Sequence, residues 1–158
     1  MKPCVYLETS FISYLTGPTS QNIITAANQH ITHDWWENRR HAFELFISPE
    51  VIDEASQGNP TESAKRLAIT KDIILLVSNN EVIDLALAFL QEKGVPSQAN
   101  DDAYHIATAT VYQMDYLLTW NCKHIANAHI QPKLRQISQK RGYEIPILCT
   151  PYQLLQEK

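Results

Sequence analysis

Four glycines in 158 residues leave no material for a glycine-rich phosphate loop, and neither a Gly-x-Ser-x-Gly nor a Ser-His-Asp pattern is present. Cysteine is nearly as scarce. Cys4, Cys122 and Cys149 make an odd set with no CxxC pair, which argues against a disulfide framework and against a zinc knuckle. Cys122, beside Asn121, is the candidate for exposure. No apolar run approaches bilayer-spanning length. The opening Met1-Lys2-Pro3-Cys4-Val5-Tyr6-Leu7 has one Lys, and Glu8 cuts its apolar run, so it reads as a first strand and not as a signal peptide. A cytoplasmic location, away from membranes, is the expectation. A basic excess is also missing. The net charge is −4, whereas a nucleic-acid binder usually carries a basic surface. Any such partner must be held through metal or through local patches: Arg39-Arg40-His41, Lys123-His124, or the helix with Lys133, Arg135, Lys140 and Arg141. Taken alone, each patch also fits a solvated helix face.

What is present is alternation. The length fits one compact domain, residues 1–158, with a core large enough to be stable without staples. Strands are predicted at 5–7, 43–47, 73–77, 116–118 and 147–149. Helices are predicted at 9–15, 20–28, 32–41, 49–56, 61–70, 80–93, 101–113 and 130–140, with a closing helix from Thr150-Pro151. Ser48-Pro49 is a helix start, a hydroxyl cap followed by proline in the first turn. Gly94 and Gly142 fall just past helix ends. Short strands, apolar on both faces and separated by helices, predict a parallel sheet covered on both sides.

In such a sheet the ligand crevice lies at the carboxyl ends of the strands. Acids fall near that edge. Glu8 directly follows the first strand, beside Thr9 and Ser10. It suits ligand chemistry there, and it equally suits a first-turn acid of the next helix. Glu50 has a helix-dipole explanation, whereas Glu54, a turn deeper, has less reason to be acidic. At about 100° per residue, Asp102 lies at the edge of the inward face of its helix, and Asp101 points away with His105 and Thr108. Capping accounts for Asp101; for Asp102 both readings stand. Asn121 ends the fourth strand, where it also suits a turn. His105, His124 and His129 share no ligand spacing and read as surface or satisfied histidines. Trp35 and Trp36 diverge by about 100°, so one packs inward and the other is free to meet a partner.

Four stretches carry a resemblance: Val5-Tyr6-Leu7-Glu8-Thr9-Ser10, Ser48-Pro49-Glu50-Val51-Ile52-Asp53-Glu54, Asp102-Ala103-Tyr104-His105-Ile106-Ala107-Thr108-Ala109, and Tyr116-Leu117-Leu118-Thr119-Trp120-Asn121. In this order the chain resembles the PIN-domain family, metal-dependent ribonucleases that include the VapC-like toxins of bacterial toxin–antitoxin pairs. The run from Leu118 to Asn127 looks like one bacterial subgroup, with Glu at the first acidic position and Asn at the fourth. The resemblance implies a PIN-like three-layer α/β/α fold with a five-stranded parallel sheet in the order 3-2-1-4-5. It places the family's first acid on Glu8, where most members have aspartate, its second on Glu54 and its third on Asp102. The fourth position, often aspartate, is Asn121.

The implied function is a metal-dependent endoribonuclease, the toxin of a type II pair. Glu8, Glu54 and Asp102 are the implied ligands of Mg²⁺ or Mn²⁺, with Asn121 completing the catalytic set. RNA is the implied substrate, an antitoxin the implied protein partner, and a homodimer the implied assembly. Both cations favour oxygen ligands, and either would hold clustered acids ionised together. Metal would also bridge an acidic pocket to an anionic substrate. The longer Glu8 and the uncharged Asn121 support an alternative, a catalytically weak PIN-like binding or scaffold protein. A third reading, a phosphatase or small-molecule hydrolase, lacks a nucleophile loop.

Overall fold

The computed structural model describes residues 1–155. Its sheet has five parallel strands: β1 (Cys4–Leu7), β2 (Glu44–Ile47), β3 (Ile74–Leu75), β4 (Tyr116–Leu118) and β5 (Ile147–Cys149). The spatial order is β3-β2-β1-β4-β5, so β1 lies in the middle and the chain reverses direction of travel there. The helices are α1 (Thr9–Thr16), α2 (Ile23–Arg39), α3 (Pro49–Ala55), α4 (Pro60–Thr70), α5 (Asn80–Gln91), α6 (Asn100–Val111) and α7 (Gln131–Gln139). α1 packs with α2, α3 and α4, while α5 packs with α6 and α7. Sheet and helices form the expected three-layer α/β/α arrangement.

The central strands run through the core. Val5, Tyr6, Leu7, Leu117 and Leu118 are all fully buried, as strands covered on both faces must be. Tyr6 sits opposite Phe46 on one side and Leu117 on the other. Leu7 sits opposite Leu118, so one further residue sets Glu8 beside Thr119.

Three elements differ from the sequence reading. The two helices expected at 20–28 and 32–41 are one 17-residue helix, α2. No glycine or proline lies between them, and the Thr32 hydroxyl donates to the Asn28 carbonyl at 2.7 Å, which satisfies it inside the helix. The strand expected at 73–77 is reduced to two residues, because it is an edge with Ile74 and Leu75 exposed. Short edges limit unwanted pairing. The closing helix is a short 3-10 turn, Pro151–Leu154. Among the described residues no helix is long and apolar enough to cross a membrane.

The contrast between centre and edge is measurable. Leu117→Ala removes a fully buried side chain from β4 and is expected to cost about 2–5 kcal/mol. Leu75→Ala, on the 44% exposed edge, should stay within about 0.5 kcal/mol. Urea denaturation midpoints of the two variants check this; equal losses would reject the ranking.

Candidate functional site

The strand ends bring four polar groups of the sequence reading to one edge of the sheet. Glu8 is the hinge between β1 and α1. Its backbone N–H donates to the Leu118 carbonyl at 3.1 Å, carrying the β1–β4 pairing past both strands. Its carboxylate caps α1, accepting from the Ser10 N–H at 3.1 Å. Oε1 also accepts the Thr119 hydroxyl at 2.5 Å and the Ser10 hydroxyl. Glu8 is therefore both a helix cap and a strand-end carboxylate. It is buried, and these donors replace the water it has lost.

Glu54 reaches the same place from α3. Its Oε1 accepts the Thr9 hydroxyl at 2.6 Å and lies 2.6 Å from His105 Nε2. His105 Nδ1 lies 2.6 Å from the Tyr6 phenol, which shares a 2.6 Å hydrogen bond with the Ser48 hydroxyl. Ser48 thus stands at the N-cap of α3 but makes no side-chain cap bond; its hydroxyl is committed to Tyr6. Glu8, Glu54 and His105 each offer a ligand-type atom, all within 4.8 Å of one another.

Asp102 and Asn121 form the adjoining half. The Asn121 side-chain amide donates to Asp102 Oδ1 at 3.0 Å. His124 Nδ1 lies 2.9 Å from Asp102 Oδ2. The Asn121 side-chain oxygen accepts the His124 N–H at 3.0 Å. The Asn121 N–H in turn donates to the Thr119 hydroxyl at 2.9 Å, which joins this half to Glu8. Asp101 is exposed, as its helical phase requires. Asp53 is exposed as well, and Glu50 lies in the first turn of α3.

His105 and Thr108 correct the phase argument, which turned them outward with Asp101. Both are buried. α6 is enclosed by α5, α3 and β4, so a wheel with one wet face does not describe it. The sequence reading gives no site role to His105, His124 or Thr119, and names Thr9 and Ser10 only as neighbours of Glu8. A signal for His105 was available, because it stands three residues after Asp102, on neighbouring helix surface. The hydroxyls flank the acids directly in sequence.

Burial alone would raise the Glu54 carboxyl, but the His105 hydrogen bond and charge, with the Thr9 hydroxyl, outweigh it and hold the group below its ordinary value. Burial alone would lower His105. The Glu54 bond and the charges of Glu8, Glu54 and Asp102 outweigh that and raise it. Burial also raises the Tyr6 phenol well above its ordinary value; the Ser48 bond opposes this, and the charges of Glu8, Glu50 and Glu54 add to it. Tyr6 therefore remains an O–H. Cys122 is exposed as expected, yet desolvation raises its thiol, and burial pushes Cys149 up to about 12, so neither is an activated thiolate.

The Glu8, Glu54 and His105 group could hold a metal ion, and its two carboxylates suit a hard cation. Glu54 and Asp102 side chains are 28% and 18% exposed, so the crevice opens to solvent on their side. Lys123, next to His124 in the chain, is exposed. A separate groove of about 440 Å³ lies at the amino ends of β1–β3, lined by Trp36, Arg40, Glu44 and Asp72 among others, away from these acids.

No protein-family model matches the chain. No curated protein matches it either. Two solved structures share its fold. One is VapBC-1 from nontypeable Haemophilus influenzae, with TM-score 0.54 and 18% identity over 77% of this chain and 89% of that one. The other is VapBC2 from Rickettsia felis bound to a DNA fragment from their promoter, with TM-score 0.51 and 17% identity over 93% of this chain and 96% of that one. The likeness is one of fold, and it agrees with the PIN-like architecture and strand order.

The Glu54–His105 pair predicts a stability window in the metal-free protein. A lowered carboxyl stabilises above its unfolded value, about 4.3, and loses this as pH falls. A raised imidazole stabilises below its unfolded value, about 6.5, and loses this as pH rises through the folded value. Both contributions coexist between those two values. In EDTA, the margin of wild type over Glu54→Gln in urea midpoint should be greatest there and shrink toward pH 9. A margin constant from pH 5 to pH 9 would reject the charged pair.

Proposed function

We propose that this chain acts as a single PIN-like domain, a metal-dependent endoribonuclease and the toxin of a type II toxin–antitoxin pair in the cytoplasm. The observation that carries this reading is the convergence of Glu8 and Glu54, with Asp102 in the adjoining network, at the carboxyl ends of the central strands. The fold shared with two VapBC structures supports it and supports an antitoxin as partner.

In this reading Glu8, Glu54 and Asp102 hold Mg²⁺ or Mn²⁺. The chemistry supplied by the bound cation is acidification of a water and neutralisation of charge on the phosphodiester. Asn121 has its side-chain oxygen on the His124 N–H and its amide N–H on Asp102, so it orients Asp102. His124 holds the other Asp102 oxygen. Thr119 and Ser10 hold Glu8. Lys123, exposed and next to His124 in the chain, would offer a cation to the RNA backbone. The homodimer rests on the resemblance and on Trp36. Trp35 packs inward, whereas Trp36 is half-buried under the Arg40 guanidinium, 4.8 Å from its ring centroid.

Cleavage of defined single-stranded RNA by purified protein tests the reading. Activity should require Mn²⁺ or Mg²⁺ and vanish in EDTA. Asp102→Asn should lower the rate by more than the roughly 10–100-fold typical of an outer-shell partner. Asn121→Asp should retain cleavage, and Asp101→Asn should leave it unchanged. Cleavage that survives EDTA, or that is equal in wild type and Asp102→Asn, rejects the mechanism. Absence of both cleavage and metal binding favours the binding or scaffold alternative, for which Asn121 in place of an acid is the specific observation. Sedimentation velocity checks the assembly: a monomer at every accessible concentration rejects the homodimer.

A further inference from the structure

His105 is a fully buried site residue, its side chain 0% exposed. Its two nitrogens are both engaged. Nε2 meets Glu54 Oε1 and Nδ1 meets the Tyr6 phenol, each at 2.6 Å. With Glu54 ionised, Nε2 must be the donor. Nδ1 then either accepts the Tyr6 O–H or donates to the Tyr6 oxygen. In neither arrangement is a nitrogen lone pair left for a cation. Glu54 Oε1 is occupied as well, since the Thr9 hydroxyl donates to it at 2.6 Å. Among the described residues no donor reaches Glu54 Oε2.

From this geometry we infer that His105 is a positioning residue: with Tyr6 and Ser48 behind it, it fixes Glu54 Oε1 from the buried side and presents Oε2 to the crevice as the metal-binding oxygen. The inference rests on the metal-dependent reading above and adds to it a named role for a buried imidazole. The chain Ser48–Tyr6–His105–Glu54 ties the ends of β1 and β2 to α6 and α3, so the carboxylate is aimed by four elements at once. Such outer partners orient a ligand and hold it in one rotamer. The competing assignment is His105 as a direct ligand, which requires Nε2 to abandon Glu54. It would add a nitrogen to the donor set, which favours Mn²⁺ over Mg²⁺.

Mn²⁺ alone is the probe. Its affinity is measured by EPR titration, and its ligand atoms by ¹⁴N modulation of the spin echo, in wild type, H105Q, H105L, Y6F and H124Q. H105L is expected to weaken Mn²⁺ binding roughly 10–100-fold. H105Q, whose terminal amide N–H can still meet Glu54, should recover most of the affinity. Y6F removes the phenol behind the imidazole and should shift affinity in the direction of H105L, which keeps the inference testable if H105L does not fold. Imidazole ¹⁴N modulation that disappears in H105Q while surviving in H124Q makes His105 a ligand and overturns the inference. Wild-type affinity in both H105L and Y6F overturns it too, and leaves the metal-dependent reading standing. A wild-type protein that binds no Mn²⁺ overturns that reading, and this inference with it.

Discussion

A carboxylate taken out of water has to be met by donors, and the crevice is organised by that requirement. Glu8 is buried at the end of the central strand, where water cannot solvate it freely. Its donors are the α1 backbone, the Ser10 hydroxyl and the Thr119 hydroxyl. The Ser10 donors are local, but the Thr119 hydroxyl is in place only because β4 lies beside β1 in parallel register, one residue short of Thr119. The sheet order, the length of β1 and β4, and the start of α1 therefore all bear on one side chain. An antiparallel neighbour would run the other way and bring a different residue to that position.

The second carboxylate is met differently. Glu54 has a hydroxyl on one side and an imidazole on the other, and the imidazole is held by a phenol and a serine. This chain takes its members from positions where local rules favour something else. Ser48 stands at an N-cap yet leaves the α3 N-terminus without its side chain. Tyr6, in the most buried strand, carries a hydroxyl where its neighbours Val5 and Leu7 carry none. A buried polar network is favourable only when every member is satisfied. Here each link is matched, and departures from local preference of this kind are characteristic of functional sites.

Much of this was legible in the residues. β4 and β5 match their predicted spans, and the strand order follows the resemblance. Glu8 and Asn121 follow strands and so lie at the sheet edge by local pattern, whereas Glu54 and Asp102 are singled out by the resemblance. What was not legible depended on tertiary enclosure. A helical wheel for α6 puts water on one side, and α5, α3 and β4 remove it, so of the two readings open for His105, surface or satisfied, the buried and satisfied one holds. The division of α2 fails for a different reason: residues 29–31 contain neither glycine nor proline, so the helix runs on through them.

Asn121 is the position where the local chemistry and the family pattern pull in opposite directions. An amide donates and accepts at the same time. Asn121 uses both capacities, giving its N–H to Asp102 and its oxygen to the His124 N–H. An aspartate could keep the second bond only. Its other oxygen would face Asp102 Oδ1 at hydrogen-bond distance with no proton between them, a like-charge contact that a cation or a shared proton must relieve. The amide therefore meets Asp102 with a donor where an aspartate would bring a second carboxylate, and the crevice forms its hydrogen bonds from the protein alone. The consequence is a division of labour. Glu8 and Glu54 carry the carboxylate charge on one side, Asp102 carries it on the other, and Asn121 and Thr119 join the two halves with neutral donors. A cation in such a crevice would meet carboxylates already oriented by hydrogen bonds, with one negative charge fewer to attract it than an aspartate at 121 would supply.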